Sequence, residues 1–86
     1  MIDEFKYILE IYFEKLGKKI DRNKIVIVRY EEIDGYVIGY LHLSFLDSWF
    51  YKIIYYKNIN EFVLEEYQKR KSCRITKKWK ANIYVK

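Results

Sequence analysis

Residues 24–57 read KIVIVRYEEIDGYVIGYLHLSFLDSWFYKIIYYK and carry three runs rich in β-branched and aromatic side chains. The runs are Lys24–Glu31, Tyr36–Phe45 and Trp49–Lys57. Asp34-Gly35 and Leu46-Asp47-Ser48 separate them at the short spacing of hairpin turns. This stretch therefore predicts a three-stranded antiparallel meander.

The middle run is predicted to have two distinct faces, because successive side chains of a strand point to opposite sides of a sheet. One face is apolar and is expected in the core: Val37, Gly39, Leu41, Leu43 and Phe45. The other face is mixed: Tyr36, Ile38, Tyr40, His42 and Ser44.

The two flanking runs are apolar or aromatic on both faces. In the first, Ile25 and Ile27 alternate with Val26 and Val28. In the third, the alternating sets are Trp49, Tyr51 and Tyr55 against Phe50, Ile54 and Tyr56. Two interpretations stay open: a second element or another subunit covers the second face, or the face is an exposed aromatic surface. An uncovered face of that size predicts a homodimer.

A helix is predicted over Ile2–Leu16, ahead of the strands. Its apolar residues recur at three- and four-residue steps: Ile2, Phe5, Ile8, Leu9, Tyr12, Phe13 and Leu16. Acidic residues open the segment, and Gly17 is placed to end it.

The segment after the strands permits two interpretations. Asn58–Lys71 has helical spacing and a capping asparagine, but the same residues also fit a short strand through Phe62. Asn82–Val85 fits an edge strand. The predicted fold class is α+β, with an N-terminal helix packed on an antiparallel sheet of three to five strands and a second short helix near the C-terminus.

Length and composition limit the class of protein. The 86 residues predict a single domain over 1–86, and 51% hydrophobic and 20% aromatic residues exclude a disordered linker. No apolar run reaches the length of a membrane span, so we expect no membrane partner and a cytoplasmic location. With one cysteine and one histidine, no disulfide and no structural zinc site is expected.

Charge divides the chain sharply. The first 68 residues hold nine basic and twelve acidic side chains, a net −3, whereas the last eighteen hold eight basic and no acidic ones, a net +8. The basic segment Lys69–Lys80 combines cations with an aromatic plane, a pattern typical of phosphate and base contact. Its candidate binding residues are Lys69, Arg70, Lys71, Arg74, Lys77, Lys78, Trp79 and Lys80.

Two other clusters have ordinary explanations. His42 and Cys73 are the only nucleophile and base pair, but a single histidine in a strand and a single cysteine elsewhere are usually unrelated. Glu31, Glu32 and Asp34 fit a solvated turn better than a cation site. We therefore assign no catalytic residue, cofactor or metal ligand.

Residues 34–41, DGYVIGYL, resemble the Asp-Gly-x-x-Val-Gly-Tyr hairpin of the GNAT superfamily of acyl-CoA N-acyltransferases. Residues 62–70, FVLEEYQKR, are similar to the strand that leads into that family's pyrophosphate loop. The resemblance implies an acetyl-CoA-dependent N-acetyltransferase. The order of helix, three strands and helix also resembles double-stranded RNA-binding domains, but by order alone.

The loop of this chain departs from the GNAT pattern. Lys71 and Cys73 stand where the family has small residues, which let backbone N–H groups approach the pyrophosphate. Only Arg74–Lys80 separates the loop from Ile83, so the following helix is almost absent. The resemblance therefore implies a shortened, degenerate member of the superfamily.

These observations favour a small non-catalytic binding protein over an enzyme. Its basic C-terminal segment is predicted to contact nucleic acid or a nucleic-acid-handling protein, in the manner of a mobile-element (phage-type) inhibitor or regulator. The alternative is a GNAT-like acetyltransferase that uses the main-chain edge near Val63–Arg70.

Overall fold

A computed structural model describes residues 1–68 and 74–81, and the side chains of residues 1–45 and 49–68 among them. Helix α1 spans Ile2–Lys15 and precedes a 3₁₀ turn at Arg22–Lys24. The strands that follow are β1 Ile25–Ile33, β2 Tyr36–Leu43, β3 Leu46–Tyr56, β4 Glu61–Gln68 and β5 Arg74–Ala81. In the described part of the chain they form one sheet in the order β1-β2-β3-β4-β5, and every neighbouring pair is antiparallel. The predicted α+β class is confirmed.

Helix α1 forms where the apolar periodicity predicts it and lies on one face of the sheet, here called the inner face. Its buried residues follow helical spacing: Phe5, Ile8, Leu9, Tyr12 and Phe13. Gly17 adopts φ +77°, and the amides of Gly17 and Lys18 donate to the carbonyls of Glu14 and Phe13 at 2.9 Å each. These bonds satisfy the last carbonyls of the helix, so α1 ends where the glycine predicts.

The inner face of β2 is buried as its alternation predicts. Val37, Gly39, Leu41 and Leu43 are buried, but Phe45 is 57% exposed and its assignment to the core is wrong. Leu43 pairs with Leu46, so Ser44 and Phe45 form the turn, two residues earlier than predicted. The tighter hairpin removes Phe45 from the strand and places it in solvent.

The face that contains Trp49, Tyr51 and Tyr55 is the inner face, and α1 covers it. Tyr51 is 1% exposed, and its ring centroid lies 6.2 Å from that of Tyr12 and 5.7 Å from that of Phe13. Trp49 and Tyr55 pack partly buried against the same core. The first helix therefore covers these aromatics.

Residues 61–68 form strand β4, and the helical interpretation of this part of Asn58–Lys71 is wrong. β4 pairs with β3 from Glu61 to Gln68 and with β5 from Phe62 to Gln68. Five consecutive residues, 62–66, are buried, which a central strand explains and a one-sided helix does not. The second short helix is therefore not seen in the described part of the chain. Residues 69–71 and the predicted strand Asn82–Val85 lie outside it.

Among the residues that the structure describes, no helix combines the length and the apolar character needed to span a membrane.

Candidate nucleic-acid interface

The basic segment divides between strand β5 and a part of the chain that the structure does not describe. Arg74, Lys77, Lys78, Trp79 and Lys80 all lie on β5, the last strand in the order of the described sheet. The other three predicted binding residues, Lys69, Arg70 and Lys71, lie outside the described residues. Half of the eight residues of β5 are therefore Lys or Arg, at one edge of the described sheet.

The register of β5 on β4 distinguishes two kinds of basic position. Lys77 stands opposite Glu66, and Lys78 stands opposite Glu65. Both glutamates are only 8% exposed. Arg74 stands opposite Gln68, and Lys80 stands opposite Val63. The register therefore places Lys77 and Lys78 at positions opposite buried carboxylates, and Arg74 and Lys80 at positions opposite uncharged residues.

Glu66 also influences two tyrosines beneath α1. Burial, followed by the charge of Glu66 and a hydrogen bond with it, raises the pKa of Tyr12 to about 12. The pKa of Tyr51, which pairs with Glu66 across β3 and β4, is raised by the same causes in the same order, with the charge of Tyr12 adding to it. This carboxylate is therefore part of the core structure, with little access to a ligand.

The face of the sheet away from α1, here called the outer face, is aromatic. Its rings are half-buried: Tyr36, Tyr40, His42, Phe50, Tyr56 and Tyr67. Between them Ile38, Ile54 and Val63 are buried. The alternation along β2 correctly predicts the side on which Tyr36, Tyr40 and His42 lie.

Several of these rings are held by neighbours. Phe50 stacks on Tyr67 with centroids 4.8 Å apart and planes 7° from parallel. The hydroxyl of Tyr67 donates to Glu65 Oε1 at 2.7 Å. Lys52 Nζ lies 5.9 Å from the centroid of Tyr40, within the range of a cation–π contact. The Tyr36 and Tyr56 rings form a separate pair at 6.1 Å near the Asp34-Gly35 turn.

A groove crosses the outer face at the opposite end from that turn. It has a volume of about 350 Å³ and is lined by residues of three neighbouring strands: Val28, Arg29, Tyr40, Leu41, His42 and Phe50. Two register shifts border it, one between Ile27 and Arg29 in β1 and one between Leu41 and Leu43 in β2. The groove is therefore located where the ladder is irregular.

The structure describes His42 and the acidic hairpin tip, but not Cys73. His42 Nδ1 lies 3.3 Å from the carbonyl oxygen of Leu43. At the hairpin tip, Glu31 pairs with Arg29, and Glu32 pairs with Lys57 at 2.9 Å. The described part of the chain holds no group of three or more residues suited to a metal ion.

Arg29, Lys52, Phe50 and Tyr67 are not among the binding residues that the sequence predicts. Strand alternation places Phe50 among the aromatics of one face, but the register is needed to place Lys52 opposite Tyr40 and Phe50 opposite Tyr67. Arg29 reaches the outer face only because of the bulge in β1, which no sequence pattern indicates.

Comparison with known proteins finds no matching family model, no matching curated protein and no matching solved structure.

Proposed function

We propose that this chain is a non-catalytic binding protein that contacts nucleic acid through its basic segment, Lys69–Lys80. The observation that carries the proposal is the position of β5, a strand with four basic residues at one edge of the described sheet. A row of cations at an edge attracts the phosphate backbone and releases its condensed counterions. Such binding requires positive charge on an accessible edge of the sheet, and it requires no chemically reactive side chain.

The register indicates which basic residues contribute most. Arg74 and Lys80 stand opposite the uncharged Gln68 and Val63, so we expect their charge to contribute most to phosphate contact. Lys77 and Lys78 stand opposite Glu66 and Glu65, so we expect their charge to attract phosphate less. Trp79 adds an aromatic plane on which a base can stack.

Fluorescence anisotropy with labelled single- and double-stranded oligonucleotides tests the proposal across a series of salt concentrations. The affinity should fall as salt rises, with a slope that reports the number of phosphates contacted. Arg74→Gln/Lys80→Gln should lower that slope by roughly 1 to 2. Lys77→Gln/Lys78→Gln is the matched control of equal charge change, and it should lower the slope less.

An absence of binding at low salt to all four nucleic acids, single- and double-stranded DNA and RNA, would contradict the proposal. A pull-down from lysate, with and without nuclease, then identifies the alternative kind of partner. A protein that is retained after nuclease treatment would indicate that the partner is a nucleic-acid-handling protein instead of nucleic acid.

An acetyl-CoA-dependent N-acetyltransferase is the second candidate, and the turn at Asp34-Gly35 between β1 and β2 favours it. That activity would use main-chain groups near Val63–Arg70. In β4, however, Val63 to Gln68 pair with β3 on one side and with β5 on the other. Calorimetry with millimolar acetyl-CoA separates the two candidates. A saturable heat of binding would favour the acetyltransferase, and a flat trace would exclude it.

A further inference from the structure

The groove on the outer face is lined by two aromatic rings on which a base can stack. Tyr40 and Phe50 provide half-buried rings from two adjacent strands. The stacked Tyr67 holds Phe50, and Tyr67 is itself held by its hydrogen bond to Glu65. A ring that is fixed before binding loses little conformational entropy when a ligand stacks on it.

Arg29 lies in this groove because of a local irregularity in β1. Ile27 pairs with Leu41 and Arg29 pairs with Tyr40, so Val28 is the extra residue of a bulge. A regular ladder would place Val28 opposite Tyr40 and direct Arg29 to the inner face, above the core. The bulge therefore places Arg29 opposite Tyr40 and in the lining of the groove, and bulges are concentrated next to functional sites.

Two basic side chains lie at the groove, each with a carboxylate neighbour. Arg29 pairs with Glu31 but stays 69% exposed, and the Lys52 ammonium lies near the Tyr40 ring while Lys52 stands opposite Glu65. Tyr67 pairs with Phe50 at the rim of the groove. The volume of about 350 Å³ falls at the small end of ligand sites, which suits one nucleotide.

We propose that this groove receives one unstacked base of a single-stranded nucleic acid, between Tyr40 and Phe50, while Arg29 contacts an adjoining phosphate. This inference rests on the proposed function and adds to it a preference for single strands. Bases paired in a duplex keep their faces stacked on one another, so a duplex cannot present one to the groove.

Two labelled oligonucleotides of equal length test the proposal by anisotropy, one intact and one abasic at every position. Both carry the same phosphates, so the difference in affinity measures base contact. Wild-type protein should bind the intact strand more tightly by roughly 5- to 150-fold, the range expected for one stacked base. Tyr40→Leu and Phe50→Leu should each reduce that preference and keep the salt slope on the abasic strand, and the preference that remains is expected to come from Trp79.

Two matched variants separate stacking from general changes of the outer face. Tyr40→Phe keeps the ring and should keep the preference. Tyr56→Leu removes a ring of the separate pair near the Asp34-Gly35 turn, and it should also keep the preference. Circular dichroism melting identifies the folded variants, and either Tyr40→Leu or Phe50→Leu alone suffices for the comparison.

The outcomes distinguish this inference from the proposed function. Equal affinity of the wild type for both strands, with a normal salt slope, would overturn the stacking site and leave the basic segment as the binding element. Loss of preference in Tyr56→Leu to the same extent as in Tyr40→Leu would also overturn it. Binding to neither strand would contradict the proposed function itself, and the stacking site with it.

Discussion

The ring of Phe5 lies directly against the backbone of Gly39. A β-carbon at position 39 would come within 2.6 Å of Phe5 Cε2, closer than real β-carbons approach another heavy atom. Phe5 is fully buried, and its ring also meets those of Tyr30 at 6.3 Å and Phe62 at 6.1 Å. The absence of a side chain at Gly39 therefore allows α1 to approach the middle of the sheet.

Replacing Gly39 by alanine should destabilise the protein by about 1 to 3 kcal/mol, the usual cost of overpacking a core. The cause is steric, so the cost should depend on the ring of Phe5. Valine at position 5 lacks the two ring atoms that the new β-carbon would meet first. Gly39→Ala should therefore cost less in a Phe5→Val background than in the wild type, as measured by urea unfolding. Equal costs in both backgrounds would exclude this contact as the cause.

The raised pKa of Tyr12 predicts a loss of stability at alkaline pH. The folded protein keeps the phenolic proton up to a pH of about 12, whereas the unfolded chain loses it near the ordinary pKa of 10.0. The contribution of this group to stability is therefore complete below pH 10 and is lost as the pH rises through 12. Between pH 9 and 12, the wild type should lose about 2 kcal/mol more than Tyr12→Phe. Urea unfolding across this pH range measures the difference, and parallel curves would contradict it.

The charge of Glu66 is the second cause of that raised pKa. Glu66→Gln should lower the pKa of Tyr12 and still leave it above its ordinary value, because burial is the largest cause. NMR titration with ¹³C-labelled tyrosine resolves the individual phenols. Glu61→Gln, in the same strand, is the matched control and should leave Tyr12 unchanged. An unchanged Tyr12 pKa in Glu66→Gln would assign the whole effect to burial.

The turn before β4 depends on Asn60, which adopts φ +50° and accepts a hydrogen bond from the Tyr55 hydroxyl at 2.8 Å. Asn60→Ala should cost about 1 to 2 kcal/mol, because alanine loses the bond and fits this backbone conformation poorly. Tyr55→Phe and Asn60→Gly lose only the bond, so each should cost less. Thermal melting of the three variants orders these effects, and a Tyr55→Phe cost equal to that of Asn60→Ala would mean that the backbone conformation contributes nothing.

A homodimer through the aromatic sheet face stays a prediction, and the structure redirects it to the outer face. Sedimentation velocity across a range of protein concentrations tests it. If both the dimer and the stacking site use this face, a single-stranded oligonucleotide should shift the protein toward monomer. A dimer that is unaffected by saturating oligonucleotide would place the subunit contact elsewhere.

Local patterns predicted most of the framework. The 3.6-residue period of α1, the cap at Gly17 and the alternation along β2 each depend on neighbours in sequence, so the residues themselves carry the information. The run from Glu61 to Gln68 was ambiguous, because its apolar spacing fits a helix and a strand equally. The run forms a strand because it pairs with β3 and β5, and that pairing depends on residues outside the run itself.

The sequence by itself determined the fold class, the edges of α1 and the concentration of positive charge after residue 68, since each follows from residue type and local spacing. Only the tertiary structure decided that Tyr51 and Trp49 belong under the helix, and that Arg29 and Phe50 share a groove with Tyr40. The physical reason is register: one extra residue at Val28 moves Arg29 from the inner to the outer face. Such a bulge arises from the pairing of two strands and leaves no periodic signal in either of them.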